Sequence, residues 1–388
     1  MSLLIRTSAI GLSMILRSGL LLLISGIVYK TYSAADAAAF FQIIYLQAIA
    51  IAFLSASGFF RVQAIDADEG LAEYLAATAL LILPSALLPL AVALLLPEYA
   101  ARLPELAIAW IGAIATALAA PVSGIILKRH GPLAAFLPAC IAAALAMIFL
   151  VAVSSGELTP YLALCSFQIV TVLLLLVQIR TILATTLRRL ARLGSGMPWP
   201  AIHEASAVGA VNVVNMLLVF GIRQLWIQTA GADIGAAVLL TLRISDSVLQ
   251  LLHMVMAGHR VVTRLIRSRW SLMAQAGSVT ISILLVLLLG QLAVAHAIPV
   301  MVFAVLAQIA LDASRIPWSV GFLYQMKHFR LPRYMAFTLC QPAIGLAVAI
   351  LPILRGRPEG LLIFLAVSIA SGAIITTLQS RWWGEEPT

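Results

Sequence analysis

The sequence predicts an all-α integral membrane protein: about twelve transmembrane helices in two parallel six-helix halves around a central cavity. Three observations carry that prediction. Hydrophobic residues make up 63% of the 388 residues and charged residues only 10%, against roughly 45–50% and about 25% in soluble domains. The mean hydropathy is +1.08. Apolar runs recur along the whole chain, each close to the roughly 20 residues that cross a bilayer's hydrocarbon core.

Charged or Pro/Gly breaks between these runs give the spans in order. The first, Ser8–Val28, carries Arg17 in its middle and lacks a clear small-residue cleavage site, so it reads as a span rather than a cleaved signal peptide. Ala37–Phe60 and Tyr74–Leu96 follow, flanking the turn RVQAIDADEG. Leu106–Leu127, Leu133–Val153 and Tyr161–Ile179 complete the first half. The second half reads Ala205–Ile227, Ile234–Ala257, Leu272–Ala295, Val300–Leu323, Met335–Leu354 and Leu361–Leu378. Too little chain is left between them for an extramembrane domain. Pro84, Pro89, Pro121, Pro138 and Pro317 fall within spans, where they remove helix hydrogen bonds and serve as hinges or as static kinks. Cys140, Cys165 and Cys340 lie in apolar runs without CxxC or His spacing, a packing role rather than a disulfide or metal framework. No cofactor or metal is expected.

Formal net charge is +9, which in a soluble chain would suggest nucleic acid. Its distribution points to membrane topology instead. One set of span ends holds sixteen of the 24 basic residues, from Arg6 through Lys128 and Arg129 to Arg381, whereas the opposite loops hold only Lys30, Arg102, Arg355 and Arg357. The positive-inside rule then places both termini in the cytoplasm. The longest inner segment, Arg180–Glu204, alternates Arg188, Arg189 and Arg192 with Leu187, Leu190 and Leu193. It reads as an interfacial helix on anionic lipid that links the two halves, or as a solvated linker of positive-inside type.

A repeat supports the division into halves, 1–192 and 193–388. Shifted by 198 residues, Ser8–Ala39 falls on Ser206–Ala237 without a gap, with nine of 32 positions identical. The shift lays span 1 on span 7 in the same direction, as in parallel repeats with the substrate path between them.

Ionisable side chains inside spans cost several kcal/mol unless they face a cavity or a partner. Six occur here: Arg17, Arg223, Arg243, Asp246, Asp312 and Arg315. Helical periodicity puts Arg243, Asp246, Gln250 and His253 on one stripe of span 8. It puts Gln308, Asp312, Arg315 and Ser319 on another in span 10, and Asn212, Asn215 and Arg223 along span 7. The candidate substrate-binding set is therefore Arg17, Asn215, Arg223, Arg243, Asp246, Gln250, Asp312 and Arg315. With four arginines against two aspartates, such a cavity suits an anionic group such as a phosphate or diphosphate. The competing reading of Arg243/Asp246 and Asp312/Arg315 is mutual neutralisation three residues apart on one helix. Arg223, one turn from the expected outer end of its span, could instead snorkel to the interface.

The N-terminal stretch SMILRSGLLLLISGIVYKTYSAADAAAFF and its echo RQLWIQTAGADIGAAVLLTLRISDSVLQLLHMVMAGH resemble the polysaccharide-flippase branch of the multidrug/oligosaccharidyl-lipid/polysaccharide exporter superfamily. The resemblance extends over the twelve-span layout. It implies that Arg17 matches a functionally important span-1 arginine of the related lipid II flippases. It also implies translocation of a lipid-diphosphate-linked oligosaccharide by alternating access, with the lipid-linked glycan, membrane lipid and envelope glycan assembly proteins as partners. A drug or metabolite antiporter of the same superfamily is the alternative. An enzyme polymerising or ligating lipid-linked glycans is the alternative of another class. It needs a substantial outer loop, whereas the longest here, Pro97–Glu105, has nine residues, and no HExxH, GxSxG, Walker A or DxD-type sequence occurs. The chain is therefore read as a transporter and not an enzyme.

Overall fold

The computed structural model describes residues 19–55, 67–85, 87–95, 97–152, 158–191, 199–231, 331–357 and 360–382, together with isolated positions between them. All regular structure among these residues is helical. In chain order the helices are α1 (Gly19–Thr31), α2 (Ala34–Ser55), α3 (Asp68–Ser85) and α4 (Leu88–Leu95). A 3-10 segment, Pro97–Arg102, leads into α5 (Leu103–His130), α6 (Pro132–Ala152), α7 (Thr159–Gln178), α8 (Arg180–Ala191) and α9 (Trp199–Ala230). The last two are α10 (Leu331–Leu354) and α11 (Gly360–Trp382). Six helices in the described part are long and apolar enough to cross a membrane.

The sequence supplies each terminus with a reason. α5 opens with Pro104 in its first turn, where a missing N–H costs nothing, and with Glu105 beside it. It closes on Lys128, Arg129 and His130, cations that suit the negative end of the helix dipole. Gly131, at φ 85°, turns the chain straight into α6.

Span 3 needs correction. Tyr74–Leu96 was expected as one helix, but α3 stops at Ser85 and α4 restarts at Leu88. Pro89 explains the break. In a continuous helix its ring would clash with the carbonyl of Ser85, four residues back, and its nitrogen has no proton to donate. The Ser85 hydroxyl instead donates to the Ile82 carbonyl at 2.6 Å. Pro121 and Pro138, by contrast, sit inside continuous helices. Spans 4, 5, 6, 7, 11 and 12 correspond to α5, α6, α7, α9, α10 and α11, displaced by two turns or less at their ends. Spans 8 to 10 lie almost wholly outside the described residues.

α6 shows how the helices are packed. Its buried positions are small or aromatic (Ala135, Phe136, Ala139, Ala142, Ala143, Ala146), whereas Leu133, Leu137, Ile141, Leu145, Ile148 and Val151 are 44–86% exposed. In water this arrangement would waste apolar surface. In lipid it is favourable, because small residues let helix backbones approach and large ones cost nothing when they face acyl chains.

Contacts divide the chain into two compact units: Met1–Val28 with Gln42–Val213, and Tyr29–Phe41 with Val214–Thr388. In the first, α5, α6 and α7 pack on one another and α8 lies against α3. In the second, α10 and α11 form an antiparallel pair around the turn at Gly356.

Candidate functional site

Two of the eight candidate residues, Asn215 and Arg223, lie among the described residues, both in the second unit on α9. Arg17, Arg243, Asp246, Gln250, Asp312 and Arg315 fall outside them. α9 is a 32-residue helix, so Asn215 and Arg223 stand eight residues, or roughly 12 Å, apart along one continuous axis. Asn215 is half-buried. Arg223 is only 7% exposed, and its Nε is sealed from solvent. The snorkelling reading is thereby corrected. α9 runs on to Ala230, so Arg223 lies two turns inside the helix end, with its side chain held in protein. The side chain therefore carries a guanidinium into the interior of this unit.

The helix end beyond Arg223 is clamped. Trp226, fully buried, donates its Nε1–H to the Arg357 carbonyl at 3.0 Å, and the Thr229 hydroxyl donates to the Ile353 carbonyl at 3.1 Å. Gly356 makes the close approach possible. It sits at φ 63°, and a Cβ there would lie 2.6 Å from the Thr229 carbonyl oxygen. The last turns of α9 are thus fixed to the α10–α11 turn, which sets the register of Arg223.

The first unit holds a polar cluster that the sequence reading did not single out. Gln47 of α2 is 4% exposed and Gln168 of α7 is 8% exposed. The Gln47 Nε2 amide donates both to the Ala109 carbonyl of α5 at 2.9 Å and to Gln168 Oε1 at 2.9 Å. Gly112, one turn beyond Ala109, leaves the space these amides fill; a Cβ there would collide with both. The signal was present in IIYLQAIAI and LCSFQIVTV, where a lone glutamine interrupts each apolar run. Asn212, a polar residue of α9 in this unit, makes a long 3.5 Å contact from its Nδ2 to the Ala52 carbonyl. These groups are neutral and bond helix to helix.

No family model and no curated protein matches the sequence. Solved structures do. The chain is similar to a multidrug resistance MATE family transporter of the MOP superfamily in an outward-facing conformation, at 16% identity over 96% of this chain and 95% of that one, with a TM-score of 0.56. It is similar to a eukaryotic MATE transporter at 14% identity, covering 96% and 94%, TM-score 0.57. A third match is a MOP superfamily transporter from Pyrococcus furiosus whose binding pocket has reversed polarity, at 17% identity, covering 96% and 94%, TM-score 0.55. With near-complete coverage on both sides, the chain has the all-helical fold of the MATE transporters, a twelve-helix membrane fold.

Proposed function

We propose that the chain is a secondary transporter that exports an amphiphilic solute by alternating access, with 1–192 and 193–388 as its moving halves. The observation that carries this reading is the fold match to MATE transporters over 96% of the chain. It favours the drug or metabolite antiporter over the lipid-linked oligosaccharide flippase, since the matched structures are MATE proteins. Charge narrows the solute. The spans carry four arginines against two aspartates, and Arg223 is buried with its charge, so an anionic group is the better fit. The Pyrococcus protein is described as having a reversed pocket polarity that suggests a different function, a precedent for this fold serving solutes of another charge. Arg17, Arg223, Arg243 and Arg315 would hold the anion, with Asn215, Asp246, Gln250 and Asp312 completing the lining.

The flippase is the second reading, favoured by Arg17 at the middle of span 1. A lipid diphosphate is an anionic amphiphile whose tail stays in the bilayer. We place the chain in a bacterial inner membrane with both termini in the cytoplasm, a reading supported by the flippase resemblance and by the basic residues gathered at one set of span ends. A cysteine introduced at Glu157 should then react with impermeant maleimide in intact cells, and one at Gly131 should not.

Proteoliposomes with an imposed proton or sodium gradient test the function. The expected result is gradient-driven movement of an anionic amphiphilic dye, lost in Arg17→Ala and only partly restored in Arg17→Lys, which lacks the bidentate fork. Movement of cationic dyes alone would overturn the charge argument. No dye movement, with lipid-linked precursor accumulating in cells that lack the protein, would select the flippase. Neither result in either assay would remove the transporter reading.

A further inference from the structure

One amphipathic element carries none of the candidate substrate-binding residues. α8 follows α7 after a single residue, Ile179, and has a sequence unlike any span: RTILATTLRRLA, with arginines and no acidic residue. Ile182 and Thr186, four residues apart on one edge, are 3–4% exposed, and α8 packs mainly against α3. One further step of about 100° around the helix brings Leu187, which is 56% exposed although it continues the apolar sector. Another step brings exposed Arg188, on the edge shared with exposed Thr181, and Arg180 stands exposed at the start of the helix. Among the described residues neither arginine has an acidic partner.

The surroundings add positive charge at the same end of the unit. Gln178, at the end of α7, donates to the Ala134 carbonyl at the start of α6 at 3.2 Å. Arg129, at the end of α5, pairs with Asp68 at the start of α3. The ends of α5 and α7 and the starts of α3 and α6 therefore lie together, and α8 joins them along α3. Lys128 donates from its Nζ to the Ile65 carbonyl at 3.0 Å, and His130 is exposed beside it. The acidic residues of this end, Asp68, Glu69 and Glu73, all have partners of their own.

We propose that α8 is an anionic-phospholipid binding element of the first unit: Ile182 and Thr186 dock it on α3, Leu187 enters the acyl region, and Arg180 and Arg188 hold phosphate headgroups. Arg188 stands one step past Leu187 on a separate edge; Arg180, seven residues before Leu187, shares the leucine's edge about two turns away and brings its guanidinium to headgroup level along its own apolar stem, as suits a helix lying in the interface plane. A solvated linker would have no use for an exposed leucine between a docked edge and a basic one. The inference concerns lipid and does not rest on the identity of the solute.

The full-length protein in nanodiscs tests it in two ways. With Cys140, Cys165 and Cys340 replaced, a nitroxide on Leu187→Cys should collide more with oxygen than with an aqueous nickel chelate, and one on Thr181→Cys should show the reverse. A label at 187 that favours the nickel chelate would overturn the proposal. In the second arm, wild-type protein and Arg180→Gln/Arg188→Gln are compared by native mass spectrometry for retention of phosphatidylglycerol against phosphatidylcholine. At ~1 kcal/mol per arginine near an anionic surface, the variant should lose roughly 30-fold of its preference for phosphatidylglycerol. Equal retention in both proteins would place the headgroup elsewhere and overturn it. Displacement of the retained lipid by millimolar inorganic phosphate would show a phosphate site rather than a lipid one, and would overturn it as well.

Discussion

Each of the two units is held together internally by polar contacts, within its helices in one and at a helix end in the other. In the first, Gln47 links α2, α5 and α7 through bonds at 2.9 Å to the Ala109 carbonyl and Gln168, near the middle of α2 and α7 and in the second turn of α5. In the second, Trp226 and Thr229 tie the end of α9 to the turn between α10 and α11. Lipid gives no hydrophobic drive for helices to associate, so close packing and interhelical hydrogen bonds must do so. A buried amide bridge has no competing water, whereas the end clamp uses carbonyls that also accept turn N–H groups, Ile353 from Gly356 and Arg357 from Gly360. The first unit should therefore be the more sensitive to changes in its small and polar residues. The second should be more tolerant, except where its turn geometry is forced.

The largest effect is expected at Gly112. A Cβ there meets the amides of Gln47 and Gln168, and branching would extend the clash into α2 and α7 at once. Gly112→Val should cost on the order of 3 kcal/mol and remove the monodisperse species from size-exclusion profiles of detergent-solubilised protein. Adding Gln168→Ala should return part of the folded yield by vacating the space. A Gly112→Val protein that behaves like wild type would break the comparison at its strongest point.

Next comes Gly356→Val, the corresponding test of the second unit. The position combines φ 63° with a carbonyl 2.6 Å from any Cβ, a conformation that costs ~1–3 kcal/mol for a residue other than glycine. The melting temperature should fall, with the folded species retained, since α10 and α11 keep their own packing. Loss of the folded species here, with retention in Gly112→Val, would reverse the order of the two units.

A smaller effect is expected from Gln47→Leu. It leaves Gln168 Oε1 without its donor while the Ala109 carbonyl stays within the α5 helix ladder. Interhelical hydrogen bonds in membrane proteins average ~0.6 kcal/mol and reach ~1.7, so a destabilisation near 1 kcal/mol is expected by thermal melt. The double change Gln47→Leu/Gln168→Leu should cost less than Gln47→Leu alone, because no buried acceptor is then stranded.

These residues also show what a sequence yields and what it withholds. α5, α6 and α7 were legible because Gly131, the Lys128–His130 cluster and Pro160 interrupt long apolar runs, and such breaks are local. The break between α3 and α4 was not. Leu88-Pro89-Leu90 is apolar throughout, so a pattern of hydropathy passes over a proline whose effect lies four residues upstream. Arg223 stood out as a charge, yet its burial depends on how far α9 continues and what closes over it. Gln47 and Gln168, 121 residues apart, were missed for a related reason. Neutral amides carry no signal as strong as a charge, and Gly112 acquires its meaning only when three helices converge on it.

The smallest effect is expected at Trp226→Phe, and it tests whether the end clamp acts as a set of independent contacts. The indole donates to the Arg357 carbonyl at 3.0 Å, but that carbonyl also accepts from the Gly360 N–H at 3.0 Å. Losing the indole proton therefore leaves no bare acceptor. Phenylalanine keeps most of the buried ring, and Thr229 still reaches Ile353 at 3.1 Å. The cost should be ~0.5–1.5 kcal/mol, the net worth of one hydrogen bond, plus a contribution from the smaller ring. Thr229→Val, which removes the other side-chain bond and keeps the shape, should add to it within ~0.5 kcal/mol if the two contacts are independent. A cost in the double variant well beyond that sum would mean the clamp closes as a unit. The difference between a central bridge in one unit and a peripheral clamp in the other would then be one of position alone, with similar cooperativity in both.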